Sequence, residues 1–256
     1  MDAAPFNMAV PAAKVAPSPR WVRVRAGGEW VADSRQALLL AWYGPRMLPT
    51  YCFPAVDVRT DLLRPSATAG EAPLAIEHDL TVGGQVVERA ATLFADVPAP
   101  LAAIEGHWSF TWDGRVTWFE EAMEIHVHAR DPSKRVDAVP SERHVRVELG
   151  GQVIAESSRP VALFETTLPT RWYFPVTDVD WEVLEPSTTV SRCPYKGSAR
   201  YWSAQVAGQT HADVAWSYET PVPECPRIAG LVSFFNERVD LVIDGVAEAR
   251  PRTPWS

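Results

Sequence analysis

The residue types able to do chemistry are densest in Cys193-Pro194-Tyr195-Lys196-Gly197, with Tyr201-Trp202 just after it and Trp216-Ser217-Tyr218-Glu219 further on. Cys193 precedes a proline and is biased to extended backbone, while Gly197 accepts positive φ. The five residues are therefore expected to form a tight corner that presents Tyr195 and Lys196. A lysine close to the thiol favours the thiolate and makes Cys193 nucleophilic. Alternatively, Lys196 binds an anionic group, with Tyr195 or Trp202 as an aromatic wall. In an extended Trp216–Glu219, Trp216 and Tyr218 share one face and Ser217 and Glu219 the other. Glu219 then stands as a general base or as the ion-pair partner of Lys196.

The candidate catalytic residues are thus Cys193, Lys196 and Glu219, and the candidate ligand-binding residues Tyr195, Tyr201, Trp202, Trp216 and Tyr218. Against this stands a plainer reading. A lone cysteine behaves as a small buried hydrophobe, aromatic residues on alternating strand positions fill cores, and a Lys–Glu pair is commonly structural.

Other constellations are weaker. His126 and His128 are spaced to face the same way on a strand, but no third metal ligand accompanies them. Glu77-His78-Asp79 alternates between the two faces of a strand, which opposes a shared site. No Ser or His lies in a triad motif, and no metal is expected.

The elements that must position these residues come from an internal repeat. Val22-Arg23-Val24-Arg25-Ala26-Gly27-Gly28-Glu29 returns as Val145-Arg146-Val147-Glu148-Leu149-Gly150-Gly151-Gln152. Alternating runs on either side of Gly-Gly are a β-hairpin signature. Leu48-Pro49-Thr50 with Phe53-Pro54 returns as Leu168-Pro169-Thr170 with Phe174-Pro175, and Ile104-Glu105-Gly106 as Ile228-Ala229-Gly230. The order is kept throughout, so the chain is two copies of one fold. Each copy is a series of short β-branched and aromatic runs broken by Gly, Pro and Asp, which predicts mainly antiparallel β structure. A short helix is expected at Pro100–Gly106 and at Cys225–Gly230.

The expected organisation is a disordered Ala/Pro-rich tail over 1–20, a first copy over 21–126, a linker over 127–143, a second copy over 144–246 and a tail over 247–256. Where the second copy has Cys193–Gly197, the first has Ala69-Gly70-Glu71-Ala72-Pro73. Opposite Trp216, Tyr218 and Glu219 it has Thr92, Phe94 and Ala95. What both copies keep is explained by turns and fixed backbone angles; what only the second has is the better candidate for chemistry.

The chain has 256 residues and a net charge of −8, which disfavours a broad nucleic-acid or anionic-membrane surface. Three cysteines without Cys-x-x-Cys spacing fit neither a disulfide framework nor a paired zinc site, and point to a reducing, cytoplasmic setting. The opening residues lack the long apolar core of a signal peptide or membrane span.

The Gly-Gly hairpin, the Phe-Pro and Pro-Ser corners, Cys-Pro-Tyr-Lys-Gly, and Ala215-Trp216-Ser217-Tyr218-Glu219 together resemble the DUF427 family of uncharacterised domains, in tandem copies. The resemblance implies an all-β, Mss4-like (β-tent) fold in each copy. Several β-tent relatives bind zinc through paired Cys-x-x-Cys, which this sequence lacks. A nucleotidyltransferase label is also attached to the family, yet no Gly-rich phosphate loop or paired-Asp motif supports it.

The functional expectation is a cytoplasmic protein that binds, and as an enzyme would transform, a small anionic or carbonyl-containing metabolite at the second copy. Lys196 would serve as charge clamp or nucleophile. The alternative is a non-catalytic binding or scaffolding module in which the motif is only a structural corner. The expected partner is a small-molecule ligand, with self-association into a homo-oligomer left open, and no cofactor is identified.

Overall fold

The computed structural model describes residues 11–43, 48–67 and 74–256. The chain forms two compact units, Val10–Asp131 and one built on Pro132–Ser256, and both are all-β with antiparallel sheets.

In the second unit a large sheet runs, in spatial order, through Val136–Pro140, Val161–Glu165, Arg171–Phe174, Val232–Phe234, Gln209–Ser217, Gly197–Val206 and Leu184–Cys193. A four-stranded sheet of Gln152–Ser157, Val145–Leu149, Asp240–Ile243 and Val246–Glu248 packs on one of its faces. The alternation read from the sequence drives this packing. Along Val145–Leu149 every second residue is buried, and Val145, Val147 and Leu149 join Trp172, Phe174 and Val232 of the large sheet in one core. Gly150 and Gly151 close the hairpin at φ +56° and +82°, the double left-handed geometry of a two-residue type I′ turn.

The first unit repeats the plan. Its four-stranded sheet is Glu29–Ser34, Val22–Ala26, Thr117–Glu120 and Met123–Ile125. Its large sheet comes as Lys14–Pro17, Leu38–Ala41 and Thr50–Cys52 on one side and Trp108–Phe110, Gln85–Phe94, Ala75–Val82 and Leu63–Pro65 on the other. The Phe53–Trp108 bridge, with reciprocal backbone hydrogen bonds of 2.7 and 2.8 Å, joins the two halves.

Three segments differ from expectation. Lys14–Pro17, assigned from sequence to the tail, is an edge strand paired with Leu38–Ala41. Val136–Pro140, assigned to the linker, is the edge strand beside Val161–Glu165. In the C-terminal tail, Glu248 ends a strand, Pro251 is buried, and Thr253 donates to Glu237. Both edge strands end in a proline, which an edge tolerates because no ladder donor is needed on its outer side. Proline-rich composition therefore masked them. The expected short helices are 3₁₀ segments, Ala99–Ile104 and Pro226–Ile228.

Candidate functional site

The Cys193–Gly197 corner is the tip of the hairpin formed by Leu184–Cys193 and Gly197–Val206, with Cys193 opposite Gly197. Gly197 sits at φ +108°, and a Cβ there would meet the Thr220 carbonyl oxygen at 3.2 Å. Glycine lets the tip lie without strain against the Thr220–Val222 segment, where the Val222 amide donates to the Lys196 carbonyl at 3.1 Å.

Held this way, Lys196 reaches over the face of the large sheet that is turned away from the four-stranded sheet. Its ammonium donates to the Glu165 carboxylate at the end of Val161–Glu165. Lys134 Nζ lies 3.8 Å from the other Glu165 oxygen. Two cations therefore flank one anion, and the side chains of all three are nearly covered, at 12% exposed for each lysine and 6% for Glu165.

Around them lies a core of Leu163, Tyr173, Ala199, Trp216, Tyr218, Cys225, Ile228 and Phe235, against which Cys193 and Tyr201 pack. Trp216 Nε1 donates to the Tyr173 hydroxyl at 3.1 Å, and the Ser191 and Tyr201 hydroxyls share a hydrogen bond of 2.7 Å. Ser233, paired in the ladder with both Tyr173 and Trp216, is fully buried, and its hydroxyl has no partner among the described residues.

The electrostatics follow from burial and neighbours. Burial works against the Lys196 charge, but Cys193, Glu165 and Tyr173, together with the Glu165 hydrogen bond, outweigh it and hold the ammonium above its ordinary range. Burial pushes the Tyr173 and Tyr218 phenols and the Cys225 thiol up. Lys196 is thus held as an ammonium and is already engaged by Glu165.

The residues singled out from sequence divide accordingly. Cys193, Lys196, Tyr201, Trp216 and Tyr218 come to one face. Trp202 does not: it faces the opposite core and packs edge-on against Trp181 at 5.7 Å, because neighbouring strand residues point to opposite faces. Glu219 does not either. It is exposed and pairs with Arg200 at 3.2 Å, since a carboxylate one position after Tyr218 leaves the Tyr218 face. Tyr195 is half-buried in the hairpin tip. His126 pairs with Glu124 at 3.2 Å, and His128 Nδ1 lies 2.7 Å from the Ala129 carbonyl oxygen. No cluster of three or more His, Cys, Asp or Glu forms among the described residues.

Glu165, Lys134, Tyr173, Cys225 and Ser233 were missed from sequence. Strand register supplies a signal for Glu165, Tyr173 and Cys225, because it equates positions between the copies; Ser233 corresponds to Ser109 and is common to both. Glu165 corresponds to Trp42, Tyr173 to Cys52, Tyr218 to Phe94, Cys225 to Leu101 and Trp216 to Thr92. The same face of the first copy carries an apolar cluster of Leu40, Cys52, Phe94, Leu101 and Ile104, with Trp42 packed against it, beside the buried Thr50 and Ser109, whose hydroxyls share a hydrogen bond of 2.7 Å. Residues 69–73, opposite the Lys196 corner, lie outside the described residues.

The tandem architecture and the repeated hairpins coincide with a known family in two consecutive matches, over residues 14–122 and 137–245. The chain belongs to the DUF427 family. DUF427 is described as a domain of unknown function, and its two matches include the edge strands Lys14–Pro17 and Val136–Pro140 that complete each large sheet. No curated protein matches the chain. No helix among the described residues is long and apolar enough to cross a membrane.

Proposed function

We propose that the second DUF427 copy binds a small anionic or carbonyl-containing metabolite over the Lys134–Glu165–Lys196 cluster, with Cys193, Tyr201 and Tyr218 around the ligand. The observation that carries this reading is the contrast between the copies. At the matching positions the first copy has Trp42, Cys52, Phe94 and Leu101, so the fold itself does not require a glutamate, two phenols and a thiol there. Burying such groups costs free energy that an apolar set avoids.

In this reading Lys196 is the clamp and Glu165 holds it in place. The Ser233 hydroxyl is an unsatisfied hydrogen-bonding group beside Tyr173 and Trp216. Cys193 is half-buried at the rim and is the nucleophile within reach if the protein is an enzyme. Three unpaired cysteines support a reducing, cytoplasmic setting. The pairing of a large sheet with a small one in each copy is consistent with the β-tent arrangement that the family resemblance implies.

The test is a thermal-shift screen of metabolites and nucleotides against wild type, Lys196→Met and Glu219→Ala, because a ligand bound only by the native state raises the melting temperature. Support is a hit kept by Glu219→Ala and lost in Lys196→Met. Hits that survive Lys196→Met, or no hit at all with Lys196→Met merely less stable, leave the cluster as a structural corner.

A further inference from the structure

The second unit has a cavity of about 370 Å³ at the open end between its two sheets, lined by Arg143, Thr170, Trp172, Asn236, Leu241 and Ile243, with Glu248 and Pro251 closing its edge. It lies on the opposite side of the large sheet from Lys196, since Trp172 and Tyr173 point to opposite faces. A cavity of about 170 Å³ adjoins it and shares Arg143, Thr170 and Trp172.

The first copy shows what belongs in such a space. Strand register and position before the hairpin equate Arg143 with Arg20, Trp172 with Tyr51, Leu241 with Trp118 and Ile243 with Glu120; Asn236 stands as far beyond its strand as Trp112 does. In the first copy the space is filled. The buried Glu120 carboxylate accepts from the Tyr51 hydroxyl at 2.7 Å and from Arg20. Beside it, the Trp112 and Trp118 rings stack 4.1 Å apart and nearly parallel. The second copy keeps the arginine but replaces the carboxylate with Ile243 and the two stacked indoles with Asn236 and Leu241. What remains is a hollow whose arginine has lost its internal anion.

Arg143 is nevertheless held in place. Its Nε donates to Asp244 at 2.7 Å, and its guanidinium carbon lies 5.8 Å from the Trp172 ring centre. Its two terminal nitrogens have no hydrogen-bond partner among the described residues. Asn236 uses its amide nitrogen on the Thr170 carbonyl at 2.9 Å, which leaves its amide oxygen able to accept.

We propose that this cavity binds a small monocarboxylate with a flat apolar body. The ligand carboxylate takes the place that Glu120 holds in the first copy, on the terminal nitrogens of Arg143. Its body takes the place of the Trp112 indole, against Trp172, Leu241 and Ile243. The volume falls within the range of small-molecule sites, about 300–1,000 Å³. Asp244 already occupies one edge of the guanidinium and Glu248 stands at the rim, so a second negative charge on the ligand is disfavoured.

Isothermal titration of the full chain with phenylacetate tests this, beside phenylacetamide as the neutral analogue and phenylmalonate as the dianion. Saturable binding of phenylacetate is expected, weakened about tenfold or more for either analogue and in Arg143→Met. Ile243→Glu, which supplies an internal carboxylate, is expected to abolish binding, while Lys196→Met binds as wild type does. Circular dichroism of each variant checks folding, and the comparison of analogues on wild type needs no variant. The absence of saturation up to about 10 mM phenylacetate overturns the proposal. So does equal binding of acid and amide, or unchanged affinity in a folded Arg143→Met or Ile243→Glu. Loss in Lys196→Met alone would move the bound carboxylate to the other site.

Discussion

Lys196 donates to Glu165, thirty-one positions earlier in the chain, and Glu165 is shared with Lys134. This sharing makes the two ends of the pair unequal. Glu165→Gln removes the carboxylate on which the covered Lys196 ammonium rests, a loss of about 3–5 kcal/mol. Lys196→Met leaves Glu165 with Lys134 and is expected to cost less, about 1.5–3 kcal/mol. Urea unfolding of the two variants checks the order, and equal losses would mean that Lys134 contributes nothing to the cluster.

Glu219→Ala is expected to change stability by no more than about 0.2–1 kcal/mol and to leave ligand shifts unaltered. Its pair with Arg200 is exposed on both sides, where solvent screens the attraction. The same urea series measures it. A loss comparable to that of Glu165→Gln would place Glu219 in the site after all.

The repeat, the hairpins and the all-β class were legible because they are written in local signals: Gly-Gly between alternating runs, Phe-Pro corners, and an offset kept along the chain. The cluster was only half legible. Cys193, Lys196, Trp216 and Tyr218 stand in one dense stretch, and the shared face of Trp216 and Tyr218 follows from strand period alone. Tyr173 and Glu165 come from strands three and four places away, respectively, in the large sheet from the strand that begins at Gly197, and no local pattern announces such a partner. Trp202 was misplaced for a related reason: adjacency to Tyr201 in sequence means opposite faces in a strand. The edge strands escaped notice because proline and alanine mimic a linker.

Alkaline pH should destabilise the protein, and the sign can be worked out group by group. Cys225, Tyr173, Tyr218 and Lys196 all have folded pKa values above their ordinary ones. Each therefore contributes stability that is complete below its unfolded pKa and is lost as pH rises toward its folded value, where the unfolded chain binds fewer protons than the native one. Ordinary values near 8.5 for a thiol and about 10 for phenol and ammonium set the window. Stability is expected to be level between about pH 7 and 8, to fall above about 8.5 and to fall more steeply above about 10. Tyr51 and Cys52 of the first copy act with the same sign, so Cys225→Ala removes only part of the early slope. Denaturant midpoints across this range provide the measurement, and a midpoint that rises with pH would contradict the assignment.

Gly197 links backbone geometry to thiol chemistry. Gly197→Ala places a methyl group 3.2 Å from the Thr220 carbonyl oxygen at a φ of +108°, a conformation that costs about 1–3 kcal/mol for a residue with a side chain. Either the strain is carried or the hairpin tip lifts from the Thr220–Val222 segment. In native wild type a thiol reagent should modify Cys193, the half-buried thiol, and spare Cys52 and Cys225, which are buried; all three should react in denaturant. Lifting the tip loosens the cover over Cys225 as well, because the Cys225 amide is anchored on the Val222 carbonyl at 2.9 Å. Gly197→Ala is therefore expected to lower stability and to bring a second thiol into reach under native conditions. A variant that loses stability but still shows one reactive thiol would mean that the tip stays docked and the strain is absorbed within the turn.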